Sequence, residues 1–253
     1  MSQYFDIHGL DKPFTLFSVG HLVSVAVILF AVLVLYRFRE ALREPRANRL
    51  FRMNLAGVVL LSEVALESWQ AWMGGWTLDY SLPLQLCSIS LLFAVVMLWN
   101  RSYRLFEFMY LAGMGGALQA ILTPDLGHYA FPHFRAFEFF VAHGGIVLAC
   151  LFMVFVEGMR PTLGSLWRAL LMLNGIAAVV YVINRLTGGN YMFLAHKPSS
   201  ASLLDVLGSW PWYLVSLEGV ALGMFVVLYL PFLFRRKSAN YHELARQRNS
   251  TSA

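Results

Sequence analysis

Seven apolar stretches, each close to twenty residues long, divide this 253-residue chain almost from end to end. They cover residues 16–36, 54–73, 82–98, 105–122, 135–156, 166–185 and 212–234. A helix rising about 1.5 Å per residue needs roughly 20 such residues to cross a hydrocarbon core about 30 Å thick. A water-soluble domain carries about a quarter charged residues, whereas this chain carries 13% and is 58% hydrophobic. The expected fold is all-α, a polytopic transmembrane bundle of seven helices. Residues 1–234 make the bundle, and 235–253 make a basic tail expected to be cytoplasmic and disordered. No internal repeat, low-complexity tract or separate soluble domain breaks the pattern.

The cations set the orientation. Of the 19 Lys and Arg residues, only Lys12, Arg135, Arg185 and Lys197 lie outside alternate linkers and the tail. Arg37, Arg39, Arg43, Arg46, Arg49 and Arg52 follow the first stretch, Arg101 and Arg104 the third, Arg160 and Arg168 the fifth. Positive loops stay cytoplasmic, which puts the N-terminus outside and the C-terminus inside. Six helices would break that alternation. The net charge of +5 is then topology against anionic headgroups rather than a nucleic-acid surface. Asp6 and Asp11 stand where a cleavable signal has its basic region, so the first stretch is read as a span. Trp69, Trp72, Trp76 and Tyr80, then Trp99 and Tyr103, then Trp210, Trp212 and Tyr213 fall where interfacial aromatic belts are expected.

With that orientation, the polar residues inside the spans gather in one leaflet. His21, Gln85, Cys87, Glu138, His143 and Glu218 fall in the outer half of inward-running helices. Glu67, Gln70, Gln119 and Asn184 fall near the outer ends of outward-running ones, with Glu63 near the midplane. Such ionisable groups cost about 2.5–3.5 kcal/mol each to insert and usually face the bundle interior. Glu63, Glu67 and Gln70 follow i, i+4, i+7 spacing and so share one helical stripe. Two readings are open: polar glue between helices, or a wet outer cavity above a dry inner half.

Two cysteines are present. Cys87 is expected about five residues into its helix and Cys150 about fifteen, a depth difference of roughly 15 Å. A disulfide tolerates Cα atoms no more than about 7 Å apart, so none is expected, and Cys150 reads as a small buried hydrophobe. His143 enters its helix from the same side as Cys87, at a depth within roughly 4–5 Å. A thiol needs a base to become a nucleophile; equally, the two could be a buried thiol and a histidine bonded to backbone. Gly144 and Gly145 leave room for a neighbouring helix or a ligand. The outer loops hold Asp125, His128 and His133, and then His196, Lys197 and Asp205. Their spacing matches no metal site, and no metal or cofactor is expected. The longer loop, after residue 185, is read as a lid or plug.

The segments "LDYSLPLQLCSISLLFAVVM", "GGALQAILTPDLGHYAFPHFRAFEFFVAHG", "GNYMFLAHKP" and "ASLLDVLGSWPWYLVSLE" carry a resemblance. Over about residues 14–234 the chain resembles a bacterial family of uncharacterised integral membrane proteins, the YwaF type. That family is in turn similar to transmembrane protein 164, a eukaryotic lipid acyltransferase that uses a Cys and a His. The likeness implies that Cys87 and His143 hold the nucleophile and base positions. One position departs: bacterial relatives read L-P-x-H-L-C, where this chain has Gln85.

The leading expectation is therefore a lipid acyltransferase or transacylase of the bacterial cytoplasmic membrane. Cys87, activated by His143, would take an acyl group from a phospholipid donor and hand it to a lyso-lipid acceptor. Gln85, Gln119 and Arg135 are candidates to hold the carbonyl oxygen or headgroup, and Asn184 and Glu218 to orient the histidine. Glu67 belongs to the polar wall. No soluble partner is expected. The alternative is a carrier or binding protein in which Glu63, Glu67 and Glu218 matter more than Cys87. A structural partner of a membrane complex is the third reading.

Overall fold

The computed structural model describes residues 3–197 and 207–250, with 234–250 as backbone alone. Asp205 lies outside the described residues, and the side chains of the tail expected to be disordered do too. Seven helices carry the fold: α1 (Val19–Arg37), α2 (Pro45–Trp72), α3 (Leu86–Asn100), α4 (Tyr103–Leu122), α5 (Phe134–Phe155), α6 (Leu163–Thr187) and α7 (Trp212–Ser250). No strand occurs among the described residues. By length and composition α1, α4, α5, α6 and the Trp212–Leu233 part of α7 qualify as membrane spans, while α3 is apolar but short.

Helix α5 is the hub and packs against α1, α2, α3 and α4. Its Gly144 and Gly145 serve close approach. A Cβ on Gly144 would stand 3.0 Å from Ile28 of α1, and one on Gly145 would stand 2.7 Å from Val59 of α2. Of the two uses expected for this glycine pair, helix contact is the one realised. Helix α4 carries a π turn, Met109–Gly113, in its middle. The Met109 carbonyl there accepts from the Cys150 thiol at 3.3 Å. Both cysteines are free, and Cys150 is fully buried.

One end of the bundle gathers the N-terminal segment and the α2–α3, α4–α5 and α6–α7 loops. Leu10 N and Phe14 N donate to the carbonyls of His128 and Gly127, Trp69 Nε1 donates to Phe5 O, and the Tyr191 hydroxyl donates to Leu78 O. The other end holds the arginine-rich linkers, and several of those arginines close helix C-termini. Arg43 donates to the carbonyls of Phe155 and Val156, and Arg52 donates to those of Leu98 and Trp99. A cation there meets both the orphan carbonyls and the negative end of the helix dipole. Arg168 pairs with the buried Glu107.

Three expectations shift. Helix α2 begins at Pro45 rather than 54, because Asn48 and Arg52 are bonded to neighbouring elements instead of lying in a free linker. Helix α3 begins at Leu86 rather than 82. Trp69 and Tyr213 are buried, unlike the exposed Trp72, Tyr80, Trp99 and Trp212, so they are packing residues rather than belt residues.

Gly145→Leu is expected to lower stability by about 1–3 kcal/mol through overpacking, read as a drop in thermal midpoint in detergent. Gly57→Ala, where nothing stands within 4 Å of the new methyl, should leave the midpoint unchanged or raise it.

Candidate active site

Helix α3 has 15 residues and is about 22 Å long, short of the roughly 30 Å of a bilayer core. Its start comes four residues later than that of the apolar run, which opens at 82. Pro83 contributes to the late start, since a proline disfavours helical backbone in the residue before it. Gln85 becomes the residue that precedes the helix, and Cys87 is its second residue.

The first amides of a helix lack intrahelical acceptors. Here Ile89 N is the first to bond, to Gln85 O at 3.0 Å. The Gln85 side chain does not cap the helix; its Oε1 accepts from Met192 N at 2.9 Å. The N–H groups of Leu86, Cys87 and Ser88, at the helix start, have no acceptor among the described residues. They form a donor cluster around the one thiol that has cavity access.

That start opens into a cavity of about 1920 Å³ that reaches α2, α3, α4, α5, α6 and α7. Cys87, His143, Gln85, Gln119, Arg135, Glu67 and Glu218 all line it. Asn184 does not. It is buried, and both ends of its amide hold the backbone of Tyr191 at 2.9 Å. Glu218 accepts from Asn174 Nδ2 at 3.0 Å. Neither is bonded to His143, whose Nδ1 instead donates to the Phe139 carbonyl at 2.7 Å.

The three buried histidines differ in a way that matters chemically. His21 Nδ1 accepts from Phe17 N at 3.0 Å, so its Nε2 donates to Ile121 O at 2.9 Å. His133 Nδ1 accepts from Arg135 N at 3.1 Å, so its Nε2 donates to Asp6 O at 3.0 Å. Both rings are spent on backbone. In His143 the carbonyl bond fixes the proton on Nδ1, and Nε2 takes part in no hydrogen bond among the described residues. A neutral imidazole with a bare Nε2 is in the protonation state of a base.

The remaining wall is polar and unevenly satisfied. Arg135 pairs with the buried Glu138, and its guanidinium lies 5.6 Å from the centre of the Phe139 ring. Glu67 accepts from Trp76 Nε1 at 2.8 Å. Glu63 is 4% exposed, and neither of its oxygens has a partner at hydrogen-bond geometry among the described residues; Ser88, Glu67 and Arg135 are the polar groups that face it. Gln70 Oε1 is likewise unpartnered. The stripe Glu63, Glu67, Gln70 thus faces one cavity, which is more than glue between helices. Ser88 was not among the candidates, and Glu138 entered only as a member of the outer polar set, with no role. Their signals were the position directly after Cys87 and the i+3 spacing from Arg135.

Asn190, Met192, Phe193, Leu194 and His196 roof the cavity, matching the lid or plug expected of the long loop. Met192 and Phe193 both have positive φ, 57° and 53°, a strained backbone for residues with a Cβ. Asn184, Gln85 and the Tyr213 hydroxyl, which donates to Phe193 O, hold them there. No group of three or more metal-ligating side chains occurs among the described residues.

Over residues 16–229 the chain matches the TMEM164 family, and it belongs to that family. This is the more distant of the two likenesses drawn from the sequence. No curated protein and no solved structure matches it.

His133 precedes α5 and is completely buried. Burial holds its pKa below the ordinary imidazole value, so the neutral ring contributes stability above about pH 6.5. That contribution is lost as pH falls through the lower folded value, because protonated Nδ1 cannot accept from Arg135 N. Wild type is expected to lose thermal stability on acidification more steeply than His133→Asn, whose amide keeps a cap worth about 1 kcal/mol. Parallel midpoint curves from pH 8 down to about 5 would reject this role.

Proposed function

We propose that this member of the TMEM164 family is a membrane-lipid acyltransferase working through a thioester on Cys87. His143 Nε2 takes the thiol proton, and Sγ attacks the ester carbonyl carbon of a phospholipid. The negative charge that develops on the carbonyl oxygen is met by the free amides at the start of α3, an arrangement that stabilises such oxyanions. The bond from carbonyl carbon to glycerol oxygen then breaks, and the imidazolium returns its proton to the departing lyso-lipid. A second lyso-lipid hydroxyl, deprotonated by the same Nε2, attacks the thioester carbonyl; the carbon–sulfur bond breaks, the new ester leaves, and the imidazolium returns its proton to Sγ. Arg135 and Gln119 stand where a headgroup would lie. Gln85 acts indirectly, by tying the roof to α3.

What supports this reading is that one cavity is lined by both the free Cys87 and His143, whose Nε2 has no hydrogen-bond partner among the described residues. Its setting is the multi-pass membrane fold, with the arginine-rich end assigned to the cytoplasm of a bacterial cell and the cavity to the outer leaflet. Soluble acyl-CoA does not reach that face, so donor and acceptor are both lipids.

Glu63 favours a second reading. An unpaired buried carboxyl in a membrane is what a proton-coupled carrier uses. Against it, the other half of the bundle is packed with Met97, Leu98, Phe106, Phe108, Phe152 and Met153, all at most 1% exposed, where a carrier needs a polar path.

In liposomes holding labelled phospholipid and lyso-lipid, wild type should exchange acyl groups and Cys87→Ala should not. His143→Ala should lose about 10²–10⁴-fold in rate, the ordinary contribution of a general base. Full exchange by Cys87→Ala would remove the thioester from consideration. Uptake of solute without exchange would favour the carrier.

A further inference from the structure

Asn174, Ala178, Tyr181 and Val182 form one stripe along α6 at i, i+4, i+7 and i+8. All four are exposed, and all four also line the cavity. A residue does both only at a lip, where a cavity opens sideways through the bundle wall. From Asn174 to Val182 this lip runs for about 12 Å along the helix axis. The facing edge is α7, where Leu214, Val215 and Glu218 line the same cavity and Val215 is 65% exposed.

The gap has defined ends. At the roof, the Tyr213 hydroxyl donates to Phe193 O. At the bottom, Asn174 Nδ2 donates to Glu218 Oε2 across it at 3.0 Å. Below that bond α7 is fastened to α4, with the Tyr110 hydroxyl donating to Leu228 O at 3.2 Å and Phe225 and Tyr229 buried. The opening is thus a slot between two tied regions rather than general looseness.

Its surroundings decide what enters. Both α6 and α7 qualify as membrane spans, each with only 17% of its span buried, so the slot faces hydrocarbon. Just inside it stand the apolar Leu173, Ala177 and Leu217, and the polar wall with Cys87 lies further in.

The geometry points to a lateral binding slot between α6 and α7, above the Asn174–Glu218 bond, that admits one hydrocarbon chain of a membrane lipid. The chain leaves the leaflet through the slot while its ester end reaches the polar wall. This deepens the acyl-transfer reading, on which the role of that ester end rests, and it gives Glu218 the part of a sill rather than a partner of His143. An intramembrane carboxyl is costly. Bonded to an amide across an opening, it sets where the opening stops.

The test uses the full chain carrying Cys87→Ala, so that turnover cannot consume the probe. The protein is reconstituted with a phospholipid bearing a diazirine at the end of one acyl chain, irradiated, and mapped by mass spectrometry. Labels are expected at Leu173, Ala177 and Leu217, besides the lipid-facing Leu171, Val179 and Val227. Adding Ala178→Trp, at an exposed lip position, should abolish the first set and keep the second; the second set also reports that the protein has folded. Labels confined to Leu171, Val179 and Val227 before that change, or inner labels that survive it, would overturn the slot. The two proposals fail separately. Slot labelling with no acyl exchange by wild type removes the chemistry and keeps the slot, and exchange with no inner labelling does the reverse.

Discussion

A fifteen-residue helix is shorter than the roughly twenty residues a bilayer crossing needs, so non-helical backbone at one of its ends has to complete that crossing. Non-helical backbone is tolerated there only where protein covers it or water reaches it. The chain leading into α3 meets that constraint at the end of the bundle where the N-terminal segment and the α2–α3, α4–α5 and α6–α7 loops gather. The cover is the α6–α7 loop, and the fastenings are specific: the Tyr191 hydroxyl against Leu82 N and Leu78 O, Gln85 Oε1 against Met192 N, and the Asn184 amide against both polar groups of the Tyr191 backbone. With Met192 and Phe193 held at positive φ, the roof is a strained structure stabilised by its contacts. What remains beneath it is a pocket whose wall includes uncapped amides and a thiol.

The polar residues sort by end of the bundle, and the physics differs at each. At the arginine-rich end the charges are consumed: Arg43 and Arg52 meet helix-terminal carbonyls, Arg168 meets Glu107, and Asn48 and Arg101 meet Glu157. The charge bias of this end and the capping of α3 and α5 are carried by the same residues. At the other end the charges are held back. Arg135 is spent on Glu138, yet Glu63 and Gln70 have oxygens with no partner. Leaving buried polar atoms unmatched is destabilising, so among the described residues the two ends of the bundle satisfy their polar groups to different degrees.

Much of this was legible in the residues, because hydropathy responds to length and composition and those govern which segments cross. The number of helices, the packing of Gly144 and Gly145, the solitary cysteines and the one-sided polar set were all readable. What hydropathy misses is where a helix begins relative to its apolar run. Residues 45–53 are too charged to register, yet they are helical because their side chains bond to other elements. Residues 82–85 are apolar enough to register, yet they are not helical because Pro83 and the Met192 contact draw the backbone away. That four-residue error changed the role of Gln85 from a pocket amide to a strut, and it moved Cys87 to a helix start. Asn184 failed as a candidate for a related reason: its partner is a backbone segment seven residues further on, which no helical periodicity encodes.

The histidines carry the last step. His21, His133 and His143 are all buried near the same end of the bundle, and composition alone does not separate them. Their backbone contacts do. A ring that accepts at Nδ1 must donate at Nε2, so His21 and His133 are satisfied on both sides by peptide groups and serve as cross-links between the N-terminal segment, α1, α4 and α5. A ring that donates at Nδ1 to a carbonyl one helical turn back keeps Nε2 for whatever stands in front of it. Only His143 is bonded that way, and it is the one of the three that lines the cavity with Cys87. The division between rings bonded on both nitrogens and a ring with a bare Nε2 is therefore made by the backbone, through the direction of a single hydrogen bond on each ring.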